Sequence, residues 1–265
     1  MNYFWKHTKS TEHSINRAGS VLMLLDFDGT LSPIVSTPAR AKLPKATKDI
    51  LLKLVMVNKI RLGIISGRQL DDVKKKVDIK NIVYSGNHGM EWKINGRVFR
   101  KYLTLETTKI LKSAEEELEG IKNRFPGSLV EDKGLSLAFH YRRVLETEKS
   151  LVEKLLDEKL AKYLKTGRVS LIKENFAYDL RGNCGWTKGS VTSELKRKLG
   201  SSDGLLIYMG DSATDEDVFS KLKGDVTIKI GSPRGSRAKY YLKDPEDVQR
   251  FLIWVANVLL VKRVE

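Results

Sequence analysis

Two aspartates follow an apolar run near the start of the chain. Residues 21–25 read VLMLL, and Asp26 and Asp28 come after them, followed by Gly29 and Thr30. A carboxylate at the end of a buried strand is costly unless a partner offsets its charge, because it leaves water. The pair therefore indicates either a bound cation that neutralises the acids or a carboxylate that takes part in a reaction.

Further chemically active residues follow other predicted strands or open a helix. Ser66 ends the apolar run IRLGIIS, Asp211 follows LLIYMG, and Asp215 lies four residues later. Lys188, in GWTKGS, begins a predicted helix. Ligands of open α/β sheets bind outside the carboxyl ends of the strands, so we expect these side chains to converge on one edge of a sheet.

The chemistry of these groups is mutually consistent. Several carboxylates around one point favour a hard cation such as Mg²⁺. A serine, a lysine and backbone amides can hold phosphate. Asp26 can attack phosphorus as a nucleophile, with Asp28 as general acid and base. The alternative for the DxDGT motif alone is ordinary turn chemistry, since Asp and Gly are common where strands end.

The elements that must position these residues form a strand–helix alternation. Five apolar runs predict buried parallel strands, at 21–27, 60–66, 81–86, 205–211 and 226–231. Helical stretches separate most of them, at 45–58, 69–77 and 187–199, and a last helix begins after Asp244 and Pro245. This alternation predicts an α/β fold with a doubly wound, Rossmann-like core built on a parallel sheet.

The alternation is interrupted between the third and fourth of these strands. Amphipathic patterns predict helices at 108–121 and 149–165, and LSLAFHYR between them alternates as a half-buried antiparallel strand does. We therefore predict an inserted α+β domain over 105–177, with a core formed by 1–104 and 178–265. Its hinges are expected near Tyr102–Thr104 and Tyr178–Leu180.

Composition limits the class of protein. The net charge is +15, and Lys and Arg outnumber Asp and Glu by 34 to 20 outside residues 105–178 but only by 14 to 13 within them. Such a core favours anionic ligands, although general solubility explains the charge equally well. No aromatic–basic pattern indicates a nucleic-acid partner. The single cysteine, the missing secretory pattern and the missing membrane-length apolar run predict a cytoplasmic protein without a membrane partner.

Four motifs together resemble those of the haloacid dehalogenase-like phosphohydrolases. They are DFDGT, the serine of IISGR, the lysine of TKG and GDSATDED, in that order. The resemblance implies that the insertion is an α/β cap, with Asp26 as nucleophile and Asp28 as acid and base. It implies phosphate binding by Ser66, Gly67 and Lys188. It implies Mg²⁺ binding by Asp26, Asp211 and the backbone carbonyl of Asp28, with Asp215 in support.

A narrower resemblance is to the trehalose-6-phosphate phosphatases. It rests on DFDGTLSPI, SGNHGMEW, VEDKGLSLAFHYR and GDSATDEDVF. It implies Mg²⁺-dependent hydrolysis of trehalose 6-phosphate to trehalose and phosphate, with a trehalose-phosphate synthase as a candidate partner. Substrate contacts are implied for Arg68, Asn87 and His88 in the core and for Glu131, Lys133, His140, Arg142 and Asp179.

Two positions depart from that family pattern. Ser212 stands where a second acid is common, and Asp179 stands where a glutamate often begins an E-x-R-P sequence. A shorter acid would weaken a contact to a sugar hydroxyl, so these departures bear on sugar specificity rather than on catalysis. The open alternatives are a related sugar-phosphate phosphatase, acting on sucrose 6-phosphate or a mannosylglycerate-type phosphate, and a catalytically silent phosphosugar sensor.

Overall fold

A computed structural model describes residues 1–174 and 176–260 of the chain. Within these residues the strands are Asn2–Tyr3 (β1), Val21–Leu25 (β2), Ile60–Ile65 (β3), Val83–Gly86 (β4), Glu91–Ile94 (β5), Arg97–Arg100 (β6), Leu129–Asp132 (β7), Ser136–His140 (β8), Val169–Glu174 (β9), Ala177–Gly182 (β10), Leu205–Gly210 (β11), Val226–Ile230 (β12) and Tyr240–Leu242 (β13). The α-helices are Thr8–Arg17 (α1), Lys45–Val55 (α2), Leu70–Val77 (α3), Leu105–Lys122 (α4), Glu146–Leu164 (α5), Lys188–Leu199 (α6), Glu216–Lys221 (α7) and Pro245–Leu260 (α8).

By their internal contacts these elements form two units. The core unit comprises Met1–Val35, Ala39–Arg100 and the chain from Thr187 onward, and the cap unit comprises Ser36–Pro38 and Lys101–Trp186. In the part of the chain that the structure describes, no helix combines the length and apolarity needed to cross a bilayer.

The core unit contains a largely parallel sheet. Among the described residues its strand order is β1-β13-β12-β11-β2-β3-β4-β5-β6, and its neighbouring strands are parallel except for the pairs β4–β5 and β5–β6. All five predicted parallel strands are present, and every residue of β2 is buried. A parallel strand is apolar on both faces because helices cover both sides of the sheet. The predicted α/β core is confirmed.

The register of the three central strands explains where the functional residues emerge. Leu25, the last residue of β2, lies between Met209 of β11 and Ile64 of β3. The residues that follow these three strands therefore leave the sheet at one edge. Asp26, Ser66 and Asp211 are the first residues after β2, β3 and β11.

The cap unit has a sheet and core of its own. Its antiparallel sheet has the order β7-β8-β10-β9 among the described residues. Alternate residues of these strands, such as Leu137, Phe139, Tyr178 and Leu180, are buried in a cluster with the apolar side chains of α4 and α5. The opposite face of the sheet therefore carries the intervening, mostly polar residues.

The cap extends further along the chain than the predicted 105–177. The predicted boundary before residue 178 falls inside β10, which pairs with both β8 and β9, and the contacts place the change of unit between Trp186 and Thr187. The expected hinge at Tyr178–Leu180 lies in the middle of this strand, which pairs with a neighbouring strand on each side. Tyr102–Thr104 lie outside regular structure, directly before α4.

The N-terminal segment is anchored to the last helix. The side chain of Asp247 in α8 accepts hydrogen bonds from the Tyr3 hydroxyl (2.9 Å), the Trp5 indole N–H (3.0 Å) and the Lys243 amide (3.1 Å). Arg250 donates to the same carboxylate at 3.0 Å. Although burial opposes it, these donors hold the pKa of Asp247 below its ordinary value, with the Lys243 amide as the largest contribution.

Candidate active site

A buried lysine joins two buried aspartates at the edge of the core sheet. The Lys188 ammonium lies 2.9 Å from Asp26 Oδ1 and 2.8 Å from Asp215 Oδ1. All three side chains are at most 5% exposed. A buried charge is tolerated only when partners offset the lost hydration, and here one cation faces two anions. The cluster therefore retains an excess of negative charge.

Asp215 is held in place by its own loop. Its Oδ2 accepts from the Ser212 amide (2.9 Å) and hydroxyl (2.8 Å), and its Oδ1 accepts from the Tyr208 hydroxyl at 2.6 Å. Ser212, the residue that departs from the family pattern, thus caps the turn that presents Asp215. Burial alone would raise the pKa of Asp215, but Lys188, Tyr208 and Ser212 stabilise the charged form and hold that pKa below its ordinary value.

The pKa of Asp26 is shifted in the opposite direction. Burial, opposed by Lys188 and reinforced by the negative charges of Asp215 and Asp211, holds the pKa of Asp26 well above its ordinary value. The two carboxylates are pushed apart in acidity, which is a common feature of reactive acidic sites. A second cation beside Asp26 would favour its ionised form.

Three carboxylates of the site are close enough together to hold a metal ion. Asp26, Asp211 and Asp215 each present one carboxylate oxygen, and these oxygens lie within 4.8 Å of one another. Carboxylate oxygens are the donors that Mg²⁺ prefers. The Asp28 carboxylate is not part of this cluster, so only its backbone carbonyl is left for the metal role that the resemblance implies.

Gly29 allows Asp211 to approach the loop after β2. Gly29 has φ +77°, and a Cβ placed on it would lie 1.9 Å from Asp211 Oδ2. Both the backbone conformation and the space therefore require glycine here. Lys229, which the sequence did not indicate, donates from its ammonium to the Asp211 carbonyl oxygen. Lys229 lies within β12 and in none of the sequence motifs, so only the fold reveals that it contacts Asp211.

Asp28 is held by a guanidinium. Arg68 donates from Nε to Asp28 Oδ2 at 2.6 Å and from Nη2 to Oδ1 at 2.7 Å, and its Nη1 donates to Asp72 at 2.8 Å. The Arg68 side chain is buried, whereas Asp28 is 42% exposed. Burial opposes the arginine charge, but the two aspartates raise the pKa of Arg68 further above its ordinary value. Asp28 thus faces solvent with a fixed orientation.

The loops after β3 and β4 are hydrogen-bonded to each other. The His88 amide donates to the Ser66 carbonyl at 3.0 Å, and the Asn87 amide donates to the Arg68 carbonyl at 2.6 Å. Asn87 and His88 both have positive φ, and a Cβ on Gly67 would lie 2.3 Å from the His88 ring. The structure therefore brings the five predicted residues of these two loops together in the core unit.

The predicted residues of the cap sheet form two side-chain pairs. His140 Nε2 lies 3.0 Å from a Glu131 oxygen, and the Lys133 ammonium donates to Asp179 Oδ2 at 2.8 Å. Glu131 and Asp179 share the register position opposite Ala138, on the face turned away from the apolar cluster. Four predicted side chains therefore lie on one polar face of the cap.

Two arginines of the cap bear on the site: Arg142, which is a predicted substrate contact, and Arg181, which is not. Arg142 lies beyond the end of β8, with its guanidinium 5.3 Å from the centre of the Phe176 ring. Arg181 was not selected as a site residue, yet its Nε donates to Asp179 Oδ1 at 3.2 Å on the polar face. The sequence signal was the arginine of the incomplete E-x-R-P pattern, two residues after Asp179.

The chain matches the family described as Trehalose-phosphatase over residues 24–246. It is 30% identical over 250 residues to trehalose-phosphate phosphatase B of Arabidopsis thaliana, an alignment that covers 88% of this chain and 65% of that protein. It thus spans slightly less than two thirds of that relative's length.

Solved structures share the fold. The C. albicans trehalose-6-phosphate phosphatase C-terminal domain superimposes with a TM-score of 0.84 at 22% identity, covering 95% of this chain and 98% of that one. The Candida albicans trehalose synthase regulatory protein C-terminal domain gives 0.68 at 15% identity, covering 94% and 97%. Because the family match covers residues 24–246, which is most of its length, the chain belongs to the trehalose-phosphatase family.

Proposed function

We propose that this protein is a Mg²⁺-dependent phosphatase that hydrolyses trehalose 6-phosphate to trehalose and phosphate. The observation that carries the proposal is the contact of Lys188 with both Asp26 and Asp215, with Asp211 beside them, in a member of this family. A structural ion pair would not need a third carboxylate within reach of the same point.

The first step transfers the phosphoryl group to the protein. An Asp26 carboxylate oxygen forms a bond to phosphorus, the bond from phosphorus to the sugar 6-oxygen breaks, and Asp28 gives its proton to that oxygen. The Lys188 ammonium offsets part of the negative charge around Asp26 and holds the Asp26 carboxylate in its orientation. When bound by Asp26, Asp211 and Asp215, Mg²⁺ would reduce the repulsion between the nucleophile and the phosphoryl oxygens.

The second step releases phosphate. A water oxygen attacks the phosphorus of the aspartyl-phosphate and gives a proton to the Asp28 carboxylate, and the bond from phosphorus to Asp26 breaks. Asp28 thereby regains the proton that it gave to the leaving oxygen in the first step. We infer that the anionic substrate offers Arg68 a second partner and so loosens the contact between Arg68 and Asp28.

Phosphate and sugar would be bound by different groups. Ser66, Gly67 and Lys188 would hold the phosphate, and Arg68, Asn87 and His88 would contact the substrate from the core. Glu131, Lys133, Arg142 and Asp179 would bind the sugar hydroxyls, and the polar face of the cap supports this for all but Arg142. Disaccharide hydroxyls both donate and accept hydrogen bonds, and paired ionic side chains supply both partners.

The substrate class would place the protein in a reducing, cytoplasmic compartment, with a trehalose-phosphate synthase as a candidate partner. The single cysteine is consistent with that compartment.

A substrate panel tests the proposal. Phosphate release is measured with Mg²⁺ for trehalose 6-phosphate, sucrose 6-phosphate, a mannosylglycerate phosphate and glucose 6-phosphate, with Asp26→Asn as the control. We expect a kcat/KM for trehalose 6-phosphate at least about tenfold above the others, since one well-used sugar contact is worth that much. Equal turnover of all four would remove the trehalose assignment. Binding of trehalose 6-phosphate without turnover would favour the phosphosugar sensor.

A further inference from the structure

One carboxylate outside the acidic cluster fixes the backbone on both sides of Lys188. Asp217 Oδ2, in α7, accepts a hydrogen bond from the Gly189 amide at 3.0 Å and from the Thr187 hydroxyl at 2.5 Å. Thr187 and Gly189 flank Lys188 in the chain. A single oxygen therefore holds the residue before and the residue after the lysine.

The contact is part of the start of α6. Thr187 is the N-cap residue, and its hydroxyl oxygen accepts from the Ser190 amide at 3.2 Å while it donates to Asp217. A Cβ on Gly189 would lie 2.3 Å from Asp217 Oδ2, so the glycine leaves room for the carboxylate. The Asp217 carboxylate thus attaches the first turn of α6 to α7, and the Lys221 ammonium adds a longer contact to the Thr187 hydroxyl at 3.5 Å.

The same short segment also holds the far end of the lysine. Asp215 binds the Lys188 ammonium, and Asp217, two residues later, binds the backbone around it. The lysine side chain is thereby fixed at both ends by residues 215–217. Its remaining contact is the one with Asp26.

We propose that Asp217 is a positioning residue for the phosphoryl-transfer site, which acts by fixing the start of α6 and hence the Lys188 ammonium against Asp26. The inference rests on the proposed phosphatase function but not on the identity of the sugar. Asp217 itself is 33% exposed, and its ion pair with Lys221 at 2.9 Å is a surface contact that we expect to contribute little.

The test compares four variants on p-nitrophenyl phosphate with Mg²⁺, because this small ester needs no sugar contact. Asp217→Ala removes the acceptor, and Asp217→Asn keeps one acceptor oxygen. Lys221→Ala removes the surface ion pair and the long contact of the Lys221 ammonium with the Thr187 hydroxyl at 3.5 Å, but leaves the Asp217 carboxylate in place. Asp225→Ala is the matched structural control. Asp225 is a buried carboxylate that accepts from the Leu206 amide (3.1 Å) and from Lys196 (2.5 Å), near the other end of α6.

We expect Asp217→Ala to lower kcat by about tenfold or more with little change in KM, since small displacements of positioned groups are costly to the chemical step. Asp217→Asn should recover most of that loss. Lys221→Ala should match the wild type, and Asp225→Ala should lower the melting temperature while keeping kcat. Wild-type kcat in Asp217→Ala, or an equal loss in Asp225→Ala, would overturn the proposal.

A second readout does not depend on activity. Hydrogen exchange of the Gly189 amide should be faster in Asp217→Ala than in Asp217→Asn, and unchanged exchange would overturn the positioning role. If the wild type cleaves p-nitrophenyl phosphate but does not prefer trehalose 6-phosphate, only the sugar assignment fails. If it cleaves no phosphomonoester, the proposed function fails, and the exchange experiment still decides whether Asp217 holds the helix start.

Discussion

Arg68 and Asp28 form a two-point ion pair, with Nε 2.6 Å from Oδ2 and Nη2 2.7 Å from Oδ1. Each carboxylate oxygen therefore has its own donor, and rotation of Asp28 about its terminal bond is restricted. Asp72 occupies the third side of the guanidinium. The group assigned as acid and base thus has an orientation set by a residue from the next strand's loop.

Arg68→Ala should lower kcat/KM for trehalose 6-phosphate by about tenfold to a hundredfold, because Asp28 loses its orientation and the substrate loses a cationic contact. Asp72→Asn is the control, since it leaves both bonds to Asp28 in place and should have a smaller effect. Steady-state kinetics on both variants check the prediction. A rise in kcat for Arg68→Ala would show instead that the pair restrains Asp28.

Lys188→Met should destabilise the fold as well as abolish activity. Without the ammonium, Asp26 and Asp215 remain buried with no cation between them, which costs about 3–5 kcal/mol in comparable buried pairs. Urea unfolding measures this loss, and adding Mg²⁺ should restore part of it if the cation neutralises the same cluster.

Lys48→Met is the matched comparison for Lys188→Met. Lys48 pairs with Asp78, which is 77% exposed, at 3.0 Å, so its loss should cost at most about 1 kcal/mol. A Lys188→Met protein as stable as the Lys48→Met protein would show that the buried cluster does not depend on the ammonium.

Gly29→Ala should impair the metal site. The added Cβ would collide with Asp211, and the positive φ adds strain of about 1–2 kcal/mol. We expect lower kcat and a higher Mg²⁺ concentration for half-maximal activity. Gly96→Ala is the matched control, because Gly96 has φ +82° and nothing within 4 Å of an added Cβ. It should share the strain but keep the Mg²⁺ requirement, and a shifted requirement there would contradict the steric explanation.

Asp247 should make stability depend on pH in acid. Its pKa is lower in the folded chain than its ordinary value of 3.8, so the unfolded chain binds its proton first as the pH falls. The stabilisation is complete above the unfolded pKa and is lost as the pH drops through the folded pKa.

Asp247→Asn removes that contribution. We expect the variant to be about 1–3 kcal/mol less stable than the wild type at neutral pH, with the difference shrinking below about pH 4. Unfolding measured in urea between neutral pH and acid tests this, with the exposed Asp78→Asn as control. Curves that stay parallel down to acid would exclude Asp247 as the source.

The sequence alone predicts that the residues directly after the apolar strands lie close together. Asp26, Ser66 and Asp211 were expected together because parallel strands end at one edge, and the register of β2, β3 and β11 places them there. The helices and the alternating strand between them predict the cap, but the sequence does not predict that β10 belongs to the cap sheet.

The partners of these residues could not be predicted in the same way. Arg68 was assigned to the substrate rather than to Asp28, and Lys229 and Asp217 were not selected at all. Each makes its contact across 18 to 40 positions of the chain. Such contacts depend on how loops pack after the strands are placed, and neither periodicity nor a local motif encodes that packing.

The central claim is that Asp26 accepts the phosphoryl group, and acid quenching during turnover tests it most directly. Wild-type protein is mixed with trehalose 6-phosphate and Mg²⁺, quenched within the first turnovers, digested and analysed by mass spectrometry. We predict a phosphoryl group on the peptide that contains Asp26, and none in Asp26→Asn, which should also be inactive. Turnover without any phosphorylated peptide, or wild-type activity in Asp26→Asn, would contradict the account.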